Sequence, residues 1–325
     1  MAVYNMIHYL NRNEKGNFLP NNDPENTSSD WIHISQANEE DILHLAHTYH
    51  FPVDYLTGAF DVDEVSRYEK LDTRYAETPG LIVLLYPIKT KSRLNLTEYV
   101  TRPLSIIMTE NTLITATHDT PDFLKSFMQV DDDKLNSFET TNQFVLKASM
   151  HIASLFITYL KEINEATDNL EVQLQSSSKS QYLFDLMELQ KSLVFIDTAL
   201  KSNHPVIDRL KELEDFIANP TDVELLRDVM VENHQAEVMA SQTYRLLNQL
   251  SSTFRSVISN NLNTVVKFLT SITFIFTIPT LIGSLWGMNV PVPFEESPFG
   301  FWILLFGTVI LLAVTAYWMK KNEFF

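Results

Sequence analysis

FLTSITFIFTIPTLIGSLWGMN, running from Phe268 to Asn289, is the stretch that decides the fold. Its first 19 residues, Phe268 to Trp286, carry no charge, and a second uncharged run of 20 residues extends from Gly300 to Met319. As a helix, either run suffices to cross about 30 Å of hydrocarbon. Lys267 precedes the first run, and Lys320 and Lys321 follow the second, which puts both outer ends, and with them the N- and C-termini, in the cytoplasm. The loop from Gly287 to Phe299 then faces outward. The rival reading, two core helices of a soluble protein, needs a surrounding apolar core that the acidic remainder does not supply.

The two runs differ in composition. The second is almost wholly Leu, Ile, Phe and Val, whereas the first carries Thr270, Thr273, Thr277 and Thr280 at helical spacing. At about 100° per residue, Asn263, Val266, Thr270, Thr273, Thr277, Thr280 and Ser284 fall within an arc of roughly 100°. Such hydroxyls can bond their own i−4 carbonyls or mediate helix packing. Alternatively, several copies of this face enclose a wet pore, which requires an oligomer because one hairpin cannot surround a channel. Val266 and Leu269, at the cytosolic end, could close such a pore by dewetting or could simply pack. Pro279 frees a backbone carbonyl and is expected to bend the helix near Thr280.

The rest of the chain is long, charged and acidic, with a formal net charge of −17, so the mean hydropathy of −0.06 averages two unlike parts. Acidity of this size argues against nucleic acid as a partner and suits a protein that handles cations. The absence of cysteine excludes disulfides, zinc–thiolate sites and thiol catalysis. Met1-Ala2-Val3-Tyr4-Asn5 lacks a basic start leading into an apolar core, so no cleaved signal peptide is expected.

Residues 1–135 read as a cytosolic α+β domain, with a helix over Asn38 to Tyr49 and β-rich segments at Leu81 to Tyr86, Leu104 to Thr109 and Leu113 to Thr117. Glu110-Asn111 suits the turn of a hairpin. Residues 136–267 read as a long-helix stalk. There Phe144, Leu146, Met150, Ala153, Ile157 and Leu160 recur at helical spacing, Ser176-Ser177-Ser178 breaks the run, and Tyr182 to Ala199 and Pro205 to Ile217 supply two more helices. Asn219-Pro220-Thr221-Asp222 is a helix start, and no Gly or Pro follows until Pro279. One helix could therefore run from Val223 into the membrane for roughly 90 Å. Residues 268–325 form the two-helix transmembrane domain.

Gly287-Met288-Asn289, following a span that carries Pro279-Thr280 and preceding one that ends in Tyr317-Trp318-Met319-Lys320-Lys321, resembles the CorA family of divalent-cation (magnesium and cobalt) transport proteins. That family's usual tetrapeptide is Tyr-Gly-Met-Asn; here Trp286 replaces the tyrosine. Asp61 to Lys70, with Arg67 and Lys70, looks like the family's acidic stretch before a basic pair, and Arg227-Asp228-Val229 looks like a segment found in some members.

The resemblance implies a homopentameric, funnel-shaped channel of the plasma or inner membrane, with magnesium as its transported and regulatory ion and no cofactor. Gly287, Met288 and Asn289 would form the outer filter, and the face from Asn263 to Ser284 would line the pore. Neutral amide and backbone oxygens suit an ion that sheds water reluctantly, because they can hold its hydration shell without stripping it. Met288 is a poor ligand for a hard cation and is expected to pack. Glu295 and Glu296 would raise the local cation concentration at the mouth, or else lie in an ordinary solvated loop. Regulation would run through Asp228, with Asp61, Asp63 or Glu64 from a neighbouring subunit, since facing carboxylates repel unless a cation bridges them.

Other signals are discounted. His44, His47 and His50 recur on one helix without a fourth ligand, and Asp131-Asp132-Asp133 reads as a solvated loop or helix start. No Walker loop, Rossmann glycine pattern or nucleophile elbow is present, which argues against ATP-driven transport and against an enzyme. Two alternatives stay open: cobalt, nickel or proton-coupled zinc transport within the same superfamily, and a membrane-anchored sensor or scaffold that conducts nothing.

Overall fold

The computed structural model describes residues 6–13, 18–21, 28–71, 79–128, 138–176, 180–293 and 296–322. It divides into two compact units, Met1–Gln249 and Leu250–Phe325. The first holds a seven-stranded sheet in the order β2-β1-β3-β7-β6-β5-β4. The strands are β1 (Met6–Arg12), β2 (Phe18–Pro20), β3 (Trp31–Ser35), β4 (Arg67–Glu69), β5 (Gly80–Lys91), β6 (Thr97–Met108) and β7 (Leu113–Thr117). Only β3 and β7 pair in parallel; every other pairing is antiparallel.

The sheet is covered on both faces, so its inner strands read as continuous apolar runs rather than alternating ones. Ile32, Ile34, Leu81, Val83, Ile107, Ile114 and Ala116 meet Ile42, Leu45 and Ala46 of α1 (Glu39–Thr48) and Tyr55 and Leu56 of α2 (Asp54–Thr57). Alternate residues point the other way, as a period of two requires. On that face Trp31 packs against Phe18, Phe138 and Phe144. The helices α3 (Asp122–Met128), α4 (Thr141–Ser176) and α5 (Ser180–Leu210) accompany them. A short α6 (Glu214–Ile217) leads to α7 (Pro220–Trp286), and α8 (Gly300–Lys321) follows.

Local chemistry explains the element ends. Asn38 caps α1, its side-chain oxygen accepting from the Asp41 backbone N–H at 2.7 Å. Asn219 caps α7 in the same way, accepting from Thr221 at 3.1 Å, with Pro220 at the first helical position where no N–H is needed. The expected turn joins β6 and β7, which pair from Met108 opposite Leu113. Of the Ser176-Ser177-Ser178 break, Ser176 ends α4; Ser177, Ser178 and the Asp131-Asp132-Asp133 run lie outside the described residues.

Two prolines do not act as breaks. β5 runs through Pro87 to Lys91, because β4 covers its outer side only from Leu81 to Val83 and the missing N–H faces no partner strand. Asn203 takes over that open side: its amide accepts from Leu85 N at 2.9 Å and donates to Leu85 O at 2.8 Å. α5 likewise passes through Pro205, where a break had been expected, with Leu200, Asn203, Val206 and Ile207 buried on both sides of it.

α7 is one helix of 67 residues, as the missing Gly and Pro predict, and it continues past Pro279 to Trp286. Within the first unit its buried positions are Asp222, Leu226, Val229, Asn233, Ala236, Ala240, Thr243 and Leu247. They alternate in steps of four and three, the pattern of a helix packed along its length on other helices. Polar side chains fix the register: Thr243 Oγ1 lies 2.7 Å from Asn164 Oδ1 of α4, and His204 Nδ1 of α5 lies 2.8 Å from Glu237 Oε1.

Candidate functional site

The second unit contains two helical stretches long and apolar enough to cross a membrane, the end of α7 and all of α8. Nearly all of their side chains are exposed, which is the reverse of a soluble protein's core helix. What little is covered follows a pattern. In the apolar end of α7 the covered residues, besides Thr270, are Ser271, Ile272, Ile275, Ile278, Ile282 and Trp286; on α8 they are Gly300, Leu304, Thr308, Leu312, Thr315, Ala316 and Met319. Each set lies on one face of its helix, so the two stripes form the seam of the hairpin.

The threonine face looks the other way. At 100° per residue its centre lies about 150° around α7 from the centre of the seam. Asn263, Val266, Leu269, Thr273, Thr277, Thr280 and Ser284 are all exposed, and Thr270 at the edge of the face is partly covered. An open groove of about 520 Å³ follows Thr273, Thr277, Thr280 and Ser284, flanked by Phe276 and Leu281.

The hydroxyls on this face are oriented. Thr273 donates to Leu269 O at 2.8 Å, Thr277 to Thr273 O at 2.7 Å and Thr280 to Phe276 O at 2.8 Å. Back-bonding and an outward polar face therefore coexist on one helix. With the proton committed to the helix, each oxygen keeps its remaining lone-pair capacity for an acceptor role away from the backbone. Pro279 has no N–H for the Ile275 carbonyl, which leaves one more acceptor in the same turns.

Beyond Trp286 the chain leaves the helix with Gly287 N donating to Gly283 O at 3.0 Å. A Cβ on Gly287 would stand 3.3 Å from that carbonyl, so the backbone is close-packed there. Met288 and Asn289 are exposed in the single chain, Met288 at 52%. The Trp286 indole N–H donates to Pro293 O at 3.1 Å, a bond that the amino-acid pattern does not announce. Glu296 is exposed, and Glu295 lies outside the described residues.

The four acidic candidates for regulation are not brought together within one chain, and among the described residues no three His, Asp or Glu side chains converge as a metal site. Asp61 and Asp63 are exposed, with Asp61 Oδ1 accepting from Asp63 N at 3.0 Å. Glu64 is only 13% exposed and lies 3.8 Å from Arg67, which also reaches Asp54 and Glu69. Asp228 is exposed on α7, and among the described residues no hydrogen bond or ion pair engages it.

An α+β unit followed by two helices long and apolar enough to cross a membrane, one of them with a polar face left open, has the architecture of a two-span membrane protein. Residues 26–321 match the family described as CorA-like Mg2+ transporter protein, and the chain belongs to that family, whose members are divalent-cation transporters rather than enzymes. It is 23% identical over 296 residues to the cobalt/magnesium transport protein CorA of Methanocaldococcus jannaschii, covering 90% of each chain. Its fold matches the complete structure of the CorA magnesium transporter from the same organism with a TM-score of 0.79 at 19% identity, over 98% of this chain and 99% of that one. The full-length CmaX protein matches with a TM-score of 0.73 at 14% identity, over 97% of this chain and 98% of the other.

Proposed function

We propose that this CorA-family transporter is a passive magnesium channel that works as a homopentamer in the cell membrane, with both termini in the cytoplasm. Residues 1–135 and 136–267 are its cytosolic domain and stalk, and residues 268–325 its pore domain. The observation that carries this reading is the opposition of the two faces of α7. The hairpin covers the Ile275, Ile278 and Ile282 side and leaves a continuous polar face that lipid would not solvate, and copies of that face around an axis would hold water. Asn263, Thr270, Thr273, Thr277, Thr280 and Ser284 line the path, Val266 and Leu269 narrow it, and Gly287, Met288 and Asn289 form its outer filter.

Outer-shell recognition of a hydrated ion needs acceptors without a net charge at the filter, and Asn289 with the loop carbonyls supplies them. Glu295 and Glu296 concentrate cations at the mouth. On the cytosolic side, Asp228 meets Asp61 or Asp63 of a neighbour, so that bound magnesium holds the closed state. Glu64, already occupied by Arg67, is the weaker participant.

Uptake into liposomes that carry the purified protein and an internal magnesium-sensitive dye tests the reading, with cobalt, nickel and zinc as competitors. Magnesium entry without a pH gradient, abolished in Asn289→Ala, is the expected result. Zinc entry that depends on a proton gradient, with no magnesium flux, would overturn it, and no flux of any ion would favour the scaffold.

A further inference from the structure

The loop that presents Gly287-Met288-Asn289 carries a hydrogen bond between its two ends, and the residue that donates it is the one that departs from the family's usual tyrosine. Trp286 is the last residue of α7, and its indole N–H reaches forward to Pro293 O at 3.1 Å. Between them the chain reads Gly287-Met288-Asn289-Val290-Pro291-Val292-Pro293.

The second half of this segment is stiff for covalent reasons. Pro291 and Pro293 have φ fixed near −65°, and each forces the residue before it, Val290 and Val292, out of the helical region. Residues 290–293 therefore form a strut with few conformations of its own. The first half is anchored to the helix by Gly287 N on Gly283 O at 3.0 Å. Met288 and Asn289 are what remains between the anchor and the strut. An indole has a single donor and no acceptor, so Trp286 can only make this contact by holding a carbonyl.

We infer that Trp286 is a positioning residue: by holding the Pro293 carbonyl it closes residues 286–293 into a ring and sets where Asn289 is presented. Losing this bond removes a constraint between the two ends of the segment, so the stiff strut can shift as a unit relative to the end of α7 and carry Asn289 with it. Trp286 thereby tunes the affinity and ion preference of the loop without itself touching the ion. A phenol carries its donor at the end of a differently shaped side chain, so a tyrosine here would close the loop differently. The inference rests on the reading of Gly287-Met288-Asn289 as the filter.

The test replaces Trp286 with β-(3-benzothienyl)alanine, which keeps the bicyclic shape and exchanges the N–H for sulfur; Trp286→Phe serves as a second donor-free variant. Initial rates of magnesium entry into liposomes are measured against external concentration, and the cobalt-to-magnesium rate ratio is read alongside, with Asn289→Ala in parallel. A net contribution typical of one hydrogen bond predicts an apparent KM raised roughly threefold to tenfold, a changed cobalt-to-magnesium ratio and a retained maximal rate per assembled protein. Wild-type KM and ion ratio in both donor-free variants, with Asn289→Ala inactive, would overturn the inference and leave the filter reading intact. Unimpaired transport in Asn289→Ala would overturn the filter reading itself, and this inference with it.

Discussion

Phe144 and Phe276 are the same side chain in opposite circumstances. Phe144 is fully buried among Trp31, Phe127 and Phe138, whereas Phe276 stands 70% exposed on α7. The first unit excludes water by its own packing, with β7 and Gly80 to Pro87 of β5 buried. The second has little beyond its seam and the buried Phe254, and most other apolar side chains there wait for lipid or for another copy. Equal hydrophobicity therefore does different work in the two regions: in one it stabilises the monomer's fold, in the other it selects the environment in which the fold is complete.

The largest expected effect breaks that comparison directly. Phe144→Ala should destabilise the first unit by about 3–5 kcal/mol, while Phe276→Ala leaves the thermal unfolding of that unit unchanged. Calorimetry of the two variants in detergent checks both halves, and equal losses would mean that the two regions are not built differently.

Asn203 sharpens the comparison from the polar side, since it completes a buried backbone that no strand reaches. Asn203→Ala strands the N–H and C=O of Leu85 and one partner of Ser66, and should cost about 1–3 kcal/mol in the same assay. Chemical denaturation that finds no loss would mean that the Leu85 backbone is satisfied without Asn203.

His33 gives a smaller effect that depends on pH. It is fully buried in β3, with Nδ1 2.9 Å from Thr115 Oγ1 and Nε2 2.9 Å from Thr120 Oγ1. Burial, and secondarily the neighbouring His8, lower its pKa from 6.5 to about 3. Between those values the unfolded chain binds a proton that the folded one refuses, so this stabilisation is complete above pH 6.5 and fades as pH falls. The expected loss is about 2 kcal/mol by pH 5. A stability profile of the first unit that stays flat between pH 7 and 5 would contradict it.

These residues also mark where sequence reading works and where it stops. The helix over Asn38 to Tyr49, the turn between β6 and β7, the unbroken α7 and the two apolar spans are local or periodic features, and each is where the pattern puts it. β1 and β3 escaped because His8 and His33 interrupt short apolar runs, and the partners that make a buried histidine tolerable, Thr115 and Thr120, lie more than 80 residues away. The segment expected over Leu81 to Tyr86 runs on through Pro87, and the helix expected to start at Pro205 is continuous with the one before it, because what a proline does depends on neighbours, β4 ending early in one case and helix packing in the other. At the candidate site, the threonine face follows from a period of 3.6 and was visible. The bond from Trp286 to Pro293 is a tertiary contact between residues of no fixed pattern, and the engagement of Glu64 by Arg67 emerges only from the fold.

The measurement that bears most directly on the central claim uses the absence of cysteine from the native chain. Single cysteines placed at Thr273, Thr277 and Thr280, and separately at Ile275, Ile278 and Ile282, are exposed in proteoliposomes to a charged, membrane-impermeant thiol reagent while magnesium entry is followed. The account predicts modification and block on the threonine face and neither on the isoleucine face. Block from the isoleucine face, or water-like reactivity of both, would contradict a pathway lined by the open side of α7.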